Sequence, residues 1–349
     1  MPLSLTSLVV AAFTAVFAAQ TGAARGAPAK SGTLDIYWID VEGGASTLIV
    51  TPAGQSILTD AGFAGFNDRD AARIEHIVKK EAGLQQLDFV LVSHFHGDHV
   101  GGLSALAKRV KIGAFVDHGD SVEGQSGAGG PVWHEYGQIA GTRRRTMKPG
   151  ERLPLKGVEL VIVAAHGQVL PAPLGDSQPN QSCDSFKPQP EDRGENGMSL
   201  GYLLRHGTFE FVNLGDLSWN FQQRLACPVN LLGRVDLFQV THHVVRDDVL
   251  PQQMWPMAPT VAVMNNGPTK GAGAVAVETV LKSPGLEDLW SLHRAVNNDA
   301  AHNAREQLTA NLGATEACAG AWIRARVDAA GTYTLTNSRN GFSKTYQVK

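Results

Sequence analysis

The stretch Ser93-His94-Phe95-His96-Gly97-Asp98-His99 decides the fold of this chain, because it places four possible metal-binding side chains within six residues. It follows directly on an apolar run over residues 87–93 that is typical of a buried strand. Side chains alternate along a strand, so His94 and His96 are expected to point the same way. Gly97 lets the chain turn back and brings the next two donors to a second position nearby. Imidazole and carboxylate groups are zinc ligands, so the stretch predicts two groups of donors able to hold two metals side by side. A surface histidine cluster, the alternative, would need neither this spacing nor a preceding strand.

The sequence around this stretch alternates between strand and helix patterns. Strands are predicted over residues 34–40, 46–50, 55–59, 87–93, 112–116, 158–164, 199–205, 208–214, 235–241 and 260–265, with two more β-like runs around Gly331. Helices are predicted over residues 69–82, 101–109 and 273–282. Strand, hairpin, helix and strand succeed one another in both halves, which predicts an α/β fold of two βα layers packed face to face. Residues 30–349 are expected to form a single domain with long surface loops near 119–150 and 167–195.

Residues 1–29 have the pattern of a secretory signal peptide. Residues 8–19 are apolar or small apart from Thr14, and Ala27-Pro28-Ala29 forms an Ala-x-Ala cleavage site. Residues 1–7 carry no Lys or Arg, so a buried N-terminal helix is the alternative. We expect a periplasmic or secreted protein, and beyond the leader no segment is a candidate transmembrane span.

Composition narrows the classes of partner. The 30 Lys+Arg and 33 Asp+Glu residues give a net charge of -3, so the basic excess of a general nucleic-acid binder is missing. We therefore expect a small-molecule or polymer substrate. An oxidising compartment would allow one disulfide among the three cysteines, and we favour Cys183 with Cys227 because both lie in loop-like sequence. No Cys-x-x-Cys spacing occurs, so a cysteine zinc site is not predicted.

The His-x-His-x-Asp-His pattern is similar to the signature of the metallo-β-lactamase superfamily, and further matches follow in the same order along the chain. Asp60, after a predicted strand, resembles the aspartate that supports the histidine loop in that superfamily. Asp216, in Leu214-Gly215-Asp216, resembles the aspartate that bridges the metals, and His242 resembles the last histidine. The resemblance implies a four-layer αββα sandwich with two zinc ions per chain.

Within the superfamily the chain most resembles the ComEC-type domains of DNA-uptake proteins and their free-standing relatives. Asp40-Val41-Glu42-Gly43-Gly44-Ala45 stands where those domains have an Asp-Val-Gly-Gln-Gly-Asp-like strand end. Asn196-Gly197-Met198-Ser199 matches their Asn-x-x-Ser, whereas His242-His243-Val244-Val245 replaces their His-His-Gly-Ser. These departures from the ComEC-type motifs affect the expected substrate more than the expected metal ligands.

This resemblance also implies the site residues. The metal ligands would be His94, His96, Asp98, His99, Asp216 and His242. His166, Asn196 or water would complete the first metal site. His242 is chosen as the ligand by strand register, and its neighbour His243 would contact substrate or act as an acid. Catalytic roles are predicted for Asp98, for His243, and for Asp60 as the residue that orients the histidine loop.

Two further residues are candidates for substrate contact. His118 follows a strand that should end at the same edge as the histidine loop, although it could equally be a loop histidine with its hydrogen bonds satisfied. Lys270 lies in a loop after a late strand and could hold an anionic group, with a solvated lysine as the alternative.

These features together predict an exported zinc-dependent hydrolase. A water between the metals would lose a proton, since bound zinc lowers its pKa towards ~7, and would attack a carbonyl or phosphoryl centre. The ComEC resemblance and Lys270 favour a phosphodiester substrate. A lactone or β-lactam is the alternative, although the missing third histidine counts against β-lactamase activity. A non-catalytic metal-binding protein of the same fold is a different class of hypothesis.

Overall fold

The computed structural model describes residue 1 and residues 32–124, 130–175, 178–245, 249–314 and 318–349. Apart from Met1, the predicted signal peptide (residues 1–29) lies outside the described residues. In the described part of the chain, none of the helices has the length and apolar character that crossing a bilayer requires.

The chain alternates between short strands and short helices. The strands are β1 (Leu34–Trp38), β2 (Thr47–Val50), β3 (Ser56–Thr59), β4 (Gln86–Leu91), β5 (Lys111–Asp117), β6 (Arg144–Thr146), β7 (Arg152–Leu153), β8 (Glu159–Ala165), β9 (Gln168–Val169), β10 (Gly201–His206), β11 (Phe209–Asn213), β12 (Leu237–Gln239), β13 (Val261–Met264), β14 (Asp288–His293), β15 (Thr309–Asn311), β16 (Ile323–Val327), β17 (Thr332–Asn337) and β18 (Ser343–Gln347). The α-helices are α1 (Arg69–His76), α2 (Gly97–Val100), α3 (Leu103–Ala107), α4 (Gly130–Ala140), α5 (Trp219–Ala226), α6 (Pro251–Met257) and α7 (Ala274–Leu281).

The strands form two large mixed sheets. The first has the order β18-β17-β16-β1-β2-β3-β4-β5-β6, and the second has the order β15-β14-β13-β12-β11-β10-β8-β7 with β9 paired to β8. In the first sheet the β2–β3 hairpin is antiparallel, while β3, β4 and β5 are parallel. The second sheet repeats this plan, because β10 and β11 form an antiparallel hairpin and β11 to β15 are parallel. The predicted α/β fold with a hairpin, helix and strand in each half is confirmed.

Three apolar cores separate four layers. Side chains of both sheets, such as Trp38 and Phe211, meet in the central core, where their rings form an edge-to-face pair with centroids 5.7 Å apart. A second core lies between one sheet and helices that include α1 and α3, and a third lies between the other sheet and helices that include α5 and α7. Helices therefore cover both outer faces, which is the predicted αββα sandwich.

The two sheets touch directly where their parallel strands end. The backbone N–H of Leu200, just before β10, donates to the carbonyl oxygen of Ser93, just after β4, at 2.7 Å. Gly215, after β11, is packed so closely on Ser93 that an added Cβ would lie 2.9 Å from the serine Cβ. Since Gly215 also has a φ of 57°, glycine is the residue that fits there. The polar segments that follow the strands of both sheets are thereby brought to one edge.

The predicted long loop over residues 119–150 is wrong in part. This segment contains α4 and β6, and its glycines obscured the helical pattern. Tyr136 and Ala140 of α4 are buried in the same core as Leu103 and Leu106 of α3. The packing of these apolar side chains forms the helix despite its weak sequence signal. The segment 167–195 remains largely irregular, with β9 and a 3-10 turn at Gln181–Ser185.

Candidate metal centre

Asp60 holds the histidine loop in place. It follows β3 in a left-handed conformation, with a φ of 62°. One carboxylate oxygen accepts a hydrogen bond from the Ser93 backbone N–H at 2.8 Å, and the other accepts one from Ser93 Oγ at 2.7 Å. The second oxygen also lies 2.8 Å from Nδ1 of His99. With the ring proton on Nδ1 facing this carboxylate, Nε2 of His99 is left free to bind a metal. Asp60 is thus placed to orient the histidine loop.

Asp216 lies where four imidazole rings converge. Its Oδ2 atom is 3.1 Å from Nε2 of His99 and 3.4 Å from Nε2 of His243. The same oxygen is 3.5 Å from Nε2 of His242 and 3.9 Å from Nε2 of His94. The aspartate is buried, so its charge is compensated by these rings and not by water. This arrangement suits a carboxylate shared between two metals.

One group of donors consists of Asp98, His99, Asp216 and His243, whose ligand atoms all lie within 4.8 Å of one another. Nε2 of His243 is 3.1 Å from Nε2 of His99 and 3.3 Å from a carboxylate oxygen of Asp98. His243 is therefore the histidine of this group, and His242, the ligand chosen by strand register, lies beside it on Asp216. Strand register does not extend to either residue, because β12 ends at Gln239 and both histidines have left-handed φ values, 52° and 51°.

A second group of donors forms around His94 and His96. Nε2 of His94 lies 3.0 Å from Nδ1 of His96, and the His94 ring is fully buried. His242 also lies near the aspartate, with its Nε2 atom 3.5 Å from Asp216 Oδ2 and 3.4 Å from the side-chain amide nitrogen of Asn196. The Asn196 carbonyl oxygen is buried and has no hydrogen-bond partner among the described residues. His166, the other candidate for the third ligand, instead stacks on the ring of His118 with centroids 5.7 Å apart.

The spacing of the ring nitrogens fits a bound metal. In each of the pairs His94–His96 and His99–His243, two imidazole nitrogens stand 3.0 or 3.1 Å apart. Such a pair can share one proton, but a divalent cation accepts the lone pairs of both. Tetrahedral zinc, with bonds of about 2.0–2.3 Å, separates its donor atoms by roughly 3.3–3.8 Å. Small outward shifts of these rings would therefore accommodate it.

The electrostatics of the centre favour metal-binding protonation states. Burial, helped by the nearby His99, lowers the pKa of His94 well below its usual value. Burial opposes ionisation of Asp216, yet His99 and His243 hold its pKa well below the ordinary range. The same balance of burial against His99 and His243 lowers the pKa of Asp98. Ionised carboxylates and a neutral imidazole are the forms that bind a metal.

His99 behaves differently while no metal is bound. Burial would lower its pKa, but the charges of Asp216, Asp98 and Asp60 raise the pKa well above its usual value. The buried carboxylates thus retain a cation at this position, and a metal ion would replace the proton on the ring. Metal binding to this group should therefore release protons.

Two glutamates that the sequence did not single out support the centre. Glu195 is fully buried and lies 2.9 Å from Nε2 of His118, while it accepts hydrogen bonds from Ser121 Oγ and the Phe95 backbone N–H. His118 is therefore buried and paired with a carboxylate through Nε2, while its Nδ1 atom has no hydrogen-bond partner among the described residues. Glu123 accepts a hydrogen bond from the Glu195 backbone N–H at 3.0 Å. The position of Glu195 directly before the Asn-x-x-Ser motif could have identified it, whereas Glu123 lies in the Gly-rich segment predicted as a loop.

Lys270 reaches the centre from the loop after β13. Its ammonium group contacts the Oδ2 atom of Asp98 and lies 5.2 Å from the centre of the Phe63 ring. The side chain remains 36% exposed. Close packing of Gly43 on Gly267 fixes this loop, since an added Cβ on Gly43 would lie 2.9 Å from the Gly267 nitrogen. Lys270 is thus a cation held at the edge of the candidate centre and open to solvent.

Residues 39–173 match the profile of the family described as the metallo-beta-lactamase superfamily, a segment that contains Asp60 and the whole histidine loop. No protein of the curated set matches the chain in sequence. The match supports membership of the chain in this superfamily.

Among solved structures the chain is similar to a HARLDQ-motif mutant of a metallo-β-lactamase from Cronobacter sakazakii, at 17% identity and a TM-score of 0.37 over 58% of this chain and 75% of that chain. It is also similar to the metallo-beta-lactamase fold protein YhfI from Bacillus subtilis, at 10% identity and a TM-score of 0.45 over 74% and 95% of the two chains. CmlA, a diiron β-hydroxylase from Streptomyces venezuelae, aligns at 14% identity and a TM-score of 0.38 over 66% of this chain and 44% of its own. The alignment of this chain with three other metallo-β-lactamase structures covers 60 to 62% of the length of those proteins.

Proposed function

We propose that this chain, whose family match supports membership of the metallo-β-lactamase superfamily, is an exported metal-dependent hydrolase that cleaves a phosphodiester. The observation that carries the proposal is the position of Asp216, whose Oδ2 atom faces histidines of both donor groups. A carboxylate at this place can join two metals and keep them side by side.

The two groups of donors would each hold one metal ion. Asp98, His99, His243 and Asp216 form the one set. His94, His96 and Asp216 form the other, and we assign His242 as its remaining protein ligand because His166 is turned towards His118. Two bound zinc ions would supply Lewis-acid chemistry and a more acidic water at this position.

The chain's own residues bind and orient the reactants. Asp60 keeps the proton of His99 on Nδ1, which fixes the direction of its Nε2 atom. Lys270 contacts Asp98 through the same Oδ2 atom that faces His99 and His243. A metal at that oxygen would compete with the ammonium group for its lone pairs, so metal binding would weaken the contact and leave Lys270 available to an anionic substrate. A phosphodiester carries such a charge, whereas a lactone does not.

Export is supported by two features of the chain. Residues 1–29 have the pattern of a cleavable leader. Cys183 and Cys227 form a disulfide, which persists in an oxidising compartment. N-terminal sequencing of the protein expressed with its own leader in a bacterial host should give a mature chain beginning at Lys30.

Turnover of bis(p-nitrophenyl) phosphate by the zinc- or manganese-loaded protein tests the proposed reaction. Asp216→Asn should abolish turnover and lower the metal content, while Asp299→Asn, at an exposed site, should leave both intact. A lactone and a chromogenic β-lactam are assayed in parallel. Hydrolysis of one of these without phosphodiesterase activity would favour the alternative reaction class. Two bound metals without any turnover would instead favour a metal-binding protein.

A further inference from the structure

A second cluster of metal-binding side chains lies outside the candidate centre. It consists of Asp40, Glu42, His293 and Cys318, together with the guanidinium group of Arg73, and is called here the Cys318 cluster. Asp40 and Glu42 follow β1, His293 ends β14, and Cys318 precedes β16. The donors come from three distant segments of the chain. A search of the sequence for Cys-x-x-Cys spacing therefore could not find the cluster.

The donors are close together and largely buried. Nε2 of His293 lies 2.7 Å from a carboxylate oxygen of Asp40. Sγ of Cys318 is 2.9 Å from the other oxygen of Asp40 and 2.9 Å from Oε1 of Glu42. Asp40 and His293 are fully buried, and Glu42 is 5% exposed. The cluster therefore collects one nitrogen, one sulfur and two carboxylate donors inside the protein.

Two buried atoms of this cluster, Nδ1 of His293 and Oε2 of Glu42, have no hydrogen-bond partner among the described residues. Oε2 of Glu42 points into the cluster, 3.5 Å from Nε2 of His293. An unsatisfied buried carboxylate oxygen is costly, and each such group in a native protein requires an explanation.

We propose that the Cys318 cluster is a second, structural metal site that binds one zinc ion through Asp40, Glu42, His293 and Cys318. These four donor types are all found at zinc sites. The ligand atoms lie within 4.8 Å of one another, and tetrahedral zinc needs roughly 3.3–3.8 Å between its donors. The required shifts are small, and the bound ion would satisfy Oε2 of Glu42.

The charges of the cluster balance once a metal is present. Two carboxylates and a thiolate carry three negative charges, and zinc with the Arg73 guanidinium group supplies three positive ones. Arg73 donates to Asp40 at 2.9 Å and to Glu42 at 3.0 Å, and it also reaches the Cys318 carbonyl oxygen at 2.9 Å. Arg73 therefore lies on the same side of the two carboxylates as the thiol. It can remain their hydrogen-bond donor when a metal is bound, and such hydrogen bonds often orient metal ligands.

The site has an entry path from solvent. A surface cavity of about 710 Å³ is lined by Cys318, Gly320, Trp322 and His76, among other residues. Zinc entering from the cavity would bind the thiolate in place of the thiol proton, so its binding would weaken as the pH falls.

Cobalt substitution separates this site from the candidate catalytic centre. Among the described residues, the catalytic donors include no sulfur, and the other two cysteines form the disulfide. A thiolate-to-cobalt charge-transfer band in the near ultraviolet therefore reports on Cys318 alone. The Co2+-loaded protein should show this band, and Cys318→Ser should lose it together with one metal equivalent per chain. The proposal does not depend on phosphodiesterase activity, since neither readout involves turnover.

A second measurement needs no variant. Saturating zinc should slow alkylation of Cys318 in the intact wild-type protein by at least tenfold, and a chelator should restore the rate. Thiol titration of the unfolded chain first shows that Cys318 is reduced. A reduced Cys318 that gives no charge-transfer band and is alkylated equally with and without zinc would overturn the proposal. The cluster would then be an ion-pair network held by Arg73.

Discussion

Nε2 of His96 lies 3.4 Å from a carboxylate oxygen of Glu123, while Nδ1 of the same ring faces His94 at 3.0 Å. The glutamate therefore stands on the side of the ring that faces away from the metal-binding nitrogen. A carboxylate in this position fixes the tautomer and orientation of a histidine ligand. Glu123 is itself held by the backbone N–H of Glu195, so it is positioned before any metal binds.

We expect Glu123→Gln to weaken metal binding at the His94–His96 group by about 10–100-fold, because the amide supports the ring less well than the carboxylate. Competition with a chromogenic chelator measures the affinity of each metal separately. Glu135→Gln, on the exposed face of α4, is the matched control and should change neither affinity. Equal affinities in both variants would contradict the role assigned to Glu123.

The neighbouring histidines of the Thr241–Val244 turn should have separable effects. His243 is fully buried in the group with Asp98 and His99, so His243→Ala should remove that metal. His242→Ala should weaken the other metal, so that after dialysis this variant holds one equivalent fewer than the wild type. Elemental analysis of the dialysed variants counts the metals, with exposed His134→Ala as the control. Retention of both metals by His242→Ala would restrict His242 to a substrate contact.

Lys270→Met should raise the KM for a phosphodiester about tenfold to hundredfold, because a charge-assisted hydrogen bond contributes about 1.5–3 kcal/mol. A neutral lactone or ester makes no such contact, so its KM should not change. Steady-state kinetics with both substrates gives the comparison, and Lys282→Met at the exposed end of α7 is the control. An equal rise for neutral and anionic substrates would show that Lys270 acts on the structure of the site.

Glu195→Gln should lower the free energy of unfolding of the metal-free protein by about 3 kcal/mol at neutral pH, because it breaks a buried charged network. Burial opposes ionisation of Glu195, but His118 and Ser121 hold its pKa below its ordinary value of 4.5. A lowered native pKa gives stability that is complete above the ordinary value and is lost as pH falls through the native value.

The difference in unfolding free energy between wild type and Glu195→Gln should therefore be large at pH 7 and shrink well below pH 4.5. Denaturant unfolding followed by circular dichroism at the two pH values, with chelator present, measures it. Glu306→Gln, on the surface, supplies the reference. A difference that does not depend on pH would show that the loss is one of packing and not of charge.

The disulfide should contribute roughly 2–4 kcal/mol to stability, since it closes a loop with a sequence separation of 44 residues. The double variant Cys183→Ser/Cys227→Ser should unfold at a correspondingly lower denaturant concentration. A reductant should bring the wild type to the same midpoint and leave the double variant unchanged. A wild type that keeps its midpoint after complete reduction would exclude this contribution.

The fold and the part of the centre formed by Asp60 and the histidine loop could be predicted, because short stretches of sequence specify them. The apolar run before Ser93 and the hairpin before Asp60 each specify a strand end within ten residues. Parallel pairing of β3 with β4 then brings both ends to the same edge of the sheet. The pairing of Cys183 with Cys227, predicted from loop-like sequence, is also confirmed.

The remaining features depend on contacts between distant segments. Glu195 meets His118 across 77 positions of the sequence, and His293 meets Asp40 across 253. Strand β14, which supplies His293, has no alternating pattern because every residue of it is buried. No local pattern of residues specifies these long-range contacts, so they can be identified only in the folded structure.

The hydrogen bond between Leu200 and Ser93, with Gly215 packed against the serine, joins the two sheets in the backbone at the point where the donors converge. Folding alone therefore preorganises the donors, so metal binding should change the structure of the site very little. Removing the ions should leave the protein native and able to exchange one divalent metal for another. The identity of the metal in the living cell would then reflect the supply in the compartment where the chain folds, and the same polypeptide could work with different ions in different environments.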